Sequence, residues 1–373
     1  MAIKKLVLII FISLISLAHP FPIHAQEDFQ VPLDSPKEET LEATVVEILE
    51  EKEITPQFSQ EKQLYQKLKL LVTKGSLQDK EIVIENGNIP IANLQKYKPG
   101  DKVSISYSQD LEGNDIFYIT DYVRRGSLFW LFIIFIVLVT TIARWQGITS
   151  LLGMGASFLV IFKFILPQIL AGANPILIAI IGSLFIIPLT FYLSHGFNKK
   201  TTVAIAGTVI ALIITGVLAG VFVEAAKLTG FASEEAGFLQ ITKQGSVNIK
   251  GLLLAGIIIG VLGVLDDITV SQSAIVLQLK KANPKLKFEE LYKQAMNVGQ
   301  DHISSMVNTL ILVYTGAALP LLLLFVDNPH PFSEIINYEI LADEIVRTLV
   351  GSLGLILAVP LTTLIAVIVT EGT

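Results

Sequence analysis

The alternation of hydrophobic and polar positions changes its period once along this chain, near Arg124. Before that point, from Leu41, apolar residues alternate with polar ones in short, β-branched-rich runs: Thr44-Val-Val-Glu-Ile-Leu, Lys67-Leu-Lys-Leu-Leu-Val-Thr, Glu81-Ile-Val-Ile, Val103-Ser-Ile-Ser-Tyr and Phe117-Tyr-Ile-Thr-Asp-Tyr. A period of two between turn signals predicts strands. Lys98-Pro-Gly-Asp-Lys and Glu112-Gly-Asn-Asp supply tight turns. Five short strands in 41–123 predict a small β-rich barrel, OB-like or SH3-like, and no catalytic constellation stands in it. Residues 26–40, polar and acidic with scattered prolines, predict a flexible lead.

Beyond Arg124-Arg125 the apolar runs reach membrane length, and 124–373 predict an α-helical polytopic membrane domain of seven spans: 128–143, 148–170, 175–193, 202–223, 252–271, 303–325 and 345–369. Most approach the roughly 20 residues that a hydrocarbon core of about 30 Å requires. A short amphipathic helix is expected between the fifth and sixth, with Phe288, Leu291, Tyr292, Ala295 and Met296 on one face. It lies either at the membrane interface or against other residues of the loop region.

Composition fits this reading. With 52% hydrophobic and only 16% charged residues, the chain is no ordinary soluble domain. The net charge of -6, without a basic block, argues against nucleic acid as a partner. The cysteine count of zero excludes disulfides, thiolate nucleophiles and cysteine metal sites. Lys4 and Lys5, the apolar run from Leu6 to Leu17, and Ile23-His24-Ala25 predict a signal peptide over 1–25, cleaved after Ala25 or kept as an anchor. Either way the β-rich domain lies outside. Lys199-Lys200 and the lysines of 280–287 then fall inside, as the positive-inside rule expects, and the C-terminus is cytoplasmic.

Two acidic motifs interrupt the apolar runs: Gly263-Val-Leu-Asp-Asp-Ile-Thr-Val-Ser-Gln272 and Gly299-Gln-Asp-His-Ile-Ser-Ser-Met-Val-Asn-Thr309. A carboxylate in a spanning helix costs on the order of 3 kcal/mol unless it meets a partner or water. Asp266, Asp267, Asp301 and His302 are therefore the first candidates for function. At helical spacing Asp267 shares a face with Ser271, and Asp301 with Ser304, Ser305 and Asn308. Two antiparallel helices would bring these faces together at matched depth, a cluster able to carry protons or hold a cation. The competing reading makes Asp301 the N-cap of the sixth helix. Glycines 256, 260 and 263, like Gly216 and Gly220, predict close helix packing. Pro188, Pro320 and Pro360 are candidate kinks, Lys163 a candidate counter-charge, and Arg347 an interfacial anchor.

These motifs, with Leu349-Val-Gly-Ser-Leu-Gly-Leu-Ile-Leu-Ala-Val-Pro-Leu-Thr-Thr, resemble the YibE/YibF family of bacterial membrane proteins, in its longer, YibE-like form. The resemblance implies a multispanning protein of the bacterial cytoplasmic membrane and no particular substrate. More faintly, the hairpin from Asp266-Asp-Ile-Thr through Lys287-Phe-Glu-Glu to Asn308-Thr309 is similar to that of SecD/SecF and related proton-driven transporters, although their neighbouring arginine is not evident.

An ion- or proton-coupled transporter, or a subunit of one, is the leading expectation. It carries no cofactor, leaves the question of a metal open, and has the lipid bilayer and a paired membrane subunit or second copy as partners. A non-transporting scaffold with structural acids is the alternative. An intramembrane aspartyl protease is disfavoured because its Gly-x-Gly-Asp and Tyr-Asp motifs do not occur, and no His-Glu-x-x-His is present for a zinc protease.

Overall fold

The computed structural model describes residues 38–56, 61–90, 94–110, 112–326 and 330–371. The expected signal peptide and nearly all of the expected lead lie outside the described residues. The chain divides into two compact units at Leu138/Val139.

In the first unit, strands β1 (Glu39–Ile54), β2 (Gln63–Lys74), β3 (Glu81–Asn86), β4 (Lys102–Gln109) and β5 (Asp115–Tyr122) form one antiparallel sheet in the order β3-β2-β1-β4-β5. All five expected runs are strands. The long β1 is the hub: its first six residues pair with β4, from Glu39↔Tyr107 to Thr44↔Lys102, while β2 follows its other edge. Register shifts at Val45/Glu47 and Ile48/Glu50 mark irregularities that coil such a sheet. Leu41, Ala43 and Val45 alternate inward onto Leu68, Leu70, Val72, Ile82, Ile84, Val103 and Ile105. The expected barrel is only half formed. β3 and β5 approach each other, but no hydrogen-bonded ladder joins them among the described residues. β3 has only six residues and ends at Gly87, whose φ of +91° turns the chain away.

One buried polar side chain ties the loop before β4 to this sheet. Gln66, fully buried, donates from Nε2 to the Tyr97 carbonyl (3.0 Å) and accepts the Tyr97 N–H (2.9 Å). Its Nε2 also reaches Glu51 at 3.0 Å. The tight turn follows as expected: Asp101 Oδ2 accepts the Lys98 N–H, and Gly100 supplies the positive φ of +95°.

The second unit is helical. α1 (Arg125–Val160) runs through a π-helical turn (Ile161–Ile165) into α2 (Leu166–Leu170). There follow α3 (Pro175–His195), α4 (Lys199–Ala225), α5 (Glu234–Thr242), α6 (Ile249–Ala282), α7 (Phe288–Ala317), α8 (Leu319–Val326), α9 (Phe332–Ile335) and α10 (Glu339–Glu371). Asn174, Asn198 and Asn248 cap α3, α4 and α6 through their side-chain oxygens. Among the described residues, five helices are long and apolar enough to cross a membrane, or six if α7 and α8, bent by 71°, count as one span. Seven runs were expected. Two of them, 128–143 and 148–170, fall in the single 46-residue stretch Arg125–Leu170, interrupted where Arg144 takes φ 52° and ψ -129°.

Two further expectations are corrected. Residues 288–296 are no separate amphipathic helix but the first turns of α7, because nothing between Met296 and Ile303 breaks the helix. Leu291 and Ala295 pack with Val276, Val203, Ala366 and Val367 of α6, α4 and α10. Asp301 consequently lies inside α7 and cannot be its N-cap. Pro320 does mark a break, at the start of α8, where its missing N–H is tolerated.

The core of the first unit lies wholly between Leu41 and Tyr122, so a soluble fragment of 38–125 is expected to melt cooperatively with a strand-type circular dichroism spectrum. Gln66→Leu should cost it about 2 kcal/mol, or roughly 10 °C in Tm, by stranding both backbone groups of Tyr97. Burial pushes the Tyr97 phenol up to about 12. Its contribution to stability is therefore complete below an unfolded tyrosine pKa of about 10 and lost as pH rises toward 12, which an alkaline unfolding series will register.

Candidate functional site

α6 is the axis of the helical unit and packs against α3, α4, α7 and α10. Its sequence places polar side chains on several faces, and the structure treats those faces differently.

One face is locked between helices. Thr269 shares a hydrogen bond of 2.7 Å with Thr208 of α4, and both hydroxyls also reach carbonyls one turn back in their own helices. Ser273 Oγ donates to the Lys200 carbonyl at 2.8 Å. Gln272 Nε2 donates to Thr363 Oγ1 of α10 (2.7 Å) and to the Ala295 carbonyl of α7 (3.0 Å), so one amide holds three helices. All of these side chains are fully buried. Close approach at this layer depends on missing side chains. A Cβ on Gly299 would sit 2.6 Å from Val359 and about as close to Gln272 as a hydrogen bond, and one on Gly207 would sit 2.3 Å from Thr362. Gly354 makes the same room for Thr215.

Of the glycines expected to pack, Gly216 does meet α6, where a Cβ would lie 3.7 Å from Ile258, but most of the others do not. Gly256 and Gly263 have open space where a Cβ would stand, as does Gly220, while Gly260 meets only the Tyr314 hydroxyl at 3.5 Å. That side of α6 is open because it borders cavities. Gly263 and Asp266 line a cleft of about 210 Å³ with Ile259 and Leu262, Ser157 of α1, Ile161 at the start of the π-helical turn, and Ile186, Thr190 and Phe191 of α3. Asp266 is half-buried there, and its carboxylate makes no hydrogen bond among the described residues. The hydroxyl protons of Ser157 and Thr190 go to Gly153 O (3.1 Å) and Ile186 O (2.9 Å), so the oxygen lone pairs remain to accept from an occupant of the cleft.

The expected cluster of α6 and α7 acids does not form within one chain. Asp267 is exposed. Asp301, Ser304, Ser305 and Asn308 form an exposed row on α7, His302 is half-buried beside it, and no hydrogen bond joins the row to Asp266, Asp267 or Ser271 among the described residues. The reason is angular: α7 turns Ala295 and Gly299 toward α6, which leaves residues 301, 304, 305 and 308 on its far side. Lys163 is exposed in the π-helical turn, and no group of three acidic or histidine side chains able to hold a metal ion occurs among the described residues.

Sequence reasoning passed over the buried layer itself. Its signal was present: Thr201, Thr208 and Thr215 recur every seven residues along α4, and all three are fully buried. A heptad of threonines in an apolar helix marks a seam facing other helices. Arg347, read as an interfacial anchor, is ion-paired to Asp343 (3.2 Å) and lies 3.7 Å from Glu344.

The family model described as YibE/F-like protein matches residues 131–372, and the chain belongs to that family. No curated protein and no solved structure matches it, so the fainter likeness to SecD/SecF gains no support.

The two kinds of glycine separate experimentally. Gly299→Val is expected to lower the unfolding temperature of the detergent-solubilised chain by several degrees, since overpacking costs about 1–3 kcal/mol. Gly263→Ala, with space for its methyl group, should leave that temperature unchanged.

Proposed function

We propose that this YibE/F-like protein is an ion- or proton-coupled membrane transporter, or a subunit of one, with Asp266 as its coupling carboxylate. The observation that carries the reading is the position of that side chain. Asp266 stands about 26 Å from the start of α6 at 1.5 Å per residue, near the middle of that helix, with neither counter-ion nor hydrogen bond among the described residues. An acid in such a place is costly unless a proton or cation accompanies it, and the cleft provides room and two hydroxyl acceptors for one. The adjoining π-helical turn is a common feature of functional sites in helices.

The topology belongs to the same reading. At 1.5 Å per residue the stretch Arg125–Leu170 measures about 69 Å, over twice a bilayer core, and its break at Arg144 divides it into two crossings. With the bent pair α7–α8 as one crossing, seven spans put the β-rich unit and the C-terminus on opposite faces, and the lysine distribution favours the β-rich unit outside the bacterial cytoplasmic membrane. The lysines at 199, 200, 280, 281, 285 and 287 then face the cytoplasm.

A second reading, a partner-binding scaffold, draws on the exposed polar row of α7. Ser304 Oγ donates to the Gln300 carbonyl of its own helix (3.2 Å), but no side-chain hydrogen bond satisfies Ser305 or Asn308 among the described residues, and a second copy or a paired subunit meeting this row supplies partners for them. The two readings are compatible if the working unit is an assembly.

Reconstitution into liposomes holding a pH-sensitive dye tests the coupling role. Wild-type protein is expected to dissipate an imposed proton or sodium gradient faster than empty liposomes, and Asp266→Asn to reduce this by roughly tenfold or more while inserting and melting normally. Gly263→Leu, which fills the cleft, should act in the same direction. A stable Asp266→Asn protein with wild-type flux, or a wild type no faster than empty liposomes under either gradient, contradicts the reading.

A further inference from the structure

We propose that the large cavity between α5, α6, the α7–α8 break and α10 binds an organic cation, an ammonium-like group on an apolar body. The inference rests on the transporter reading only in making that cation the cargo. The cavity measures about 750 Å³, against about 210 Å³ for the cleft at Asp266, and falls within the range of small-molecule sites.

Its charge is one-sided. Glu234 and Glu235 of α5 and Asp343 and Glu344 of α10 line it, with Arg347 the sole basic residue of the lining. Arg347 cannot satisfy all four. It pairs with Asp343 Oδ2 at 3.2 Å and lies 3.7 Å from Glu344. Asp343 is only 7% exposed, and its other oxygen, Oδ1, has no hydrogen-bond partner among the described residues, nor has the Arg347 Nε–H, which is not turned to it. A buried carboxylate oxygen without a donor is a standing cost, which a ligand's N–H or positive charge removes.

The backbone adds to the same sign. α7 ends at this cavity, where Ala317 and Ala318 form part of the wall and the chain bends by 71° into α8. The carbonyl end of a broken membrane helix carries partial negative charge and favours cations. Leu252, Leu253 and Leu321 add apolar lining. The acids do not converge as metal ligands among the described residues, so the arrangement suits a diffuse organic cation better than a bare metal ion.

The loop before α5 is tied to the start of α10. Glu339 accepts the N–H groups of Thr229 (2.5 Å) and Gly230 (2.9 Å) and the Thr229 hydroxyl (2.8 Å), fixing the loop that leads into Glu234 and Glu235.

Calorimetry on the detergent-solubilised full chain tests the site with two probes of equal shape and opposite charge, tetraphenylphosphonium and tetraphenylborate. Saturable binding of the phosphonium alone is expected, weakened at least roughly tenfold by Asp343→Asn. Because Asp343→Asn disturbs a buried ion pair, the exposed double variant Glu234→Gln/Glu235→Gln provides a second reading and should weaken binding roughly threefold without altering the melting temperature. Equal binding of both probes, or phosphonium binding indifferent to both variants, overturns the proposal. Absence of binding alongside Asp266-dependent flux overturns this site alone. Phosphonium binding that persists when Asp266→Asn leaves flux unchanged supports the site and removes the coupling role.

Discussion

A polar side chain inside a membrane-spanning helix must find its partner in another helix or in a cavity, because hydrocarbon offers none. α6 meets this requirement in two ways within eight residues. Thr269, Gln272 and Ser273 find partners on α4, α7 and α10 and become the buried layer that fixes how those helices cross. Asp266, on the adjoining face, finds only a cleft. The locked face holds the open one in position, and the functional reading depends on that division.

The glycines are distributed to match. Gly207, Gly299 and Gly354 stand where two helices come too close for a methyl group, and each lies against a polar or β-branched side chain of a neighbouring helix. Gly256 and Gly263 stand where α6 borders a cavity: the larger one near its start and the Asp266 cleft at its middle. Small residues thus serve opposite ends on one helix, contact in one place and access in another.

Much of the fold was legible in the sequence. In the β-rich unit, local alternation and turn chemistry agree, so all five strands and the Lys98–Asp101 turn follow from short-range pattern; closure of the barrel depends on long-range pairing of β3 with β5, which alternation does not encode. The spanning helices were legible from hydropathy, and the Pro320 break from the missing N–H. The rotation of each helix was not. A run such as Gly256-Ile-Ile-Ile-Gly-Val-Leu-Gly is apolar on every side, so nothing in it tells which glycines touch a neighbour. The same ambiguity placed Asp301, Ser305 and Asn308 opposite Asp267, whereas Gly299, needed against Gln272, turns them away. The threonine heptad of α4 was the one rotational signal available, and it points to the seam that the structure contains.

The central claim, that Asp266 faces an accessible cleft while its near neighbours are sealed between helices, is most directly tested by thiol accessibility, for which a chain without cysteines is well suited. Asp266→Cys and Gly263→Cys are expected to react with a small water-soluble methanethiosulfonate in the folded, membrane-inserted protein, and Thr269→Cys to react only after denaturation. A reactive Thr269→Cys beside an inert Asp266→Cys would contradict the account.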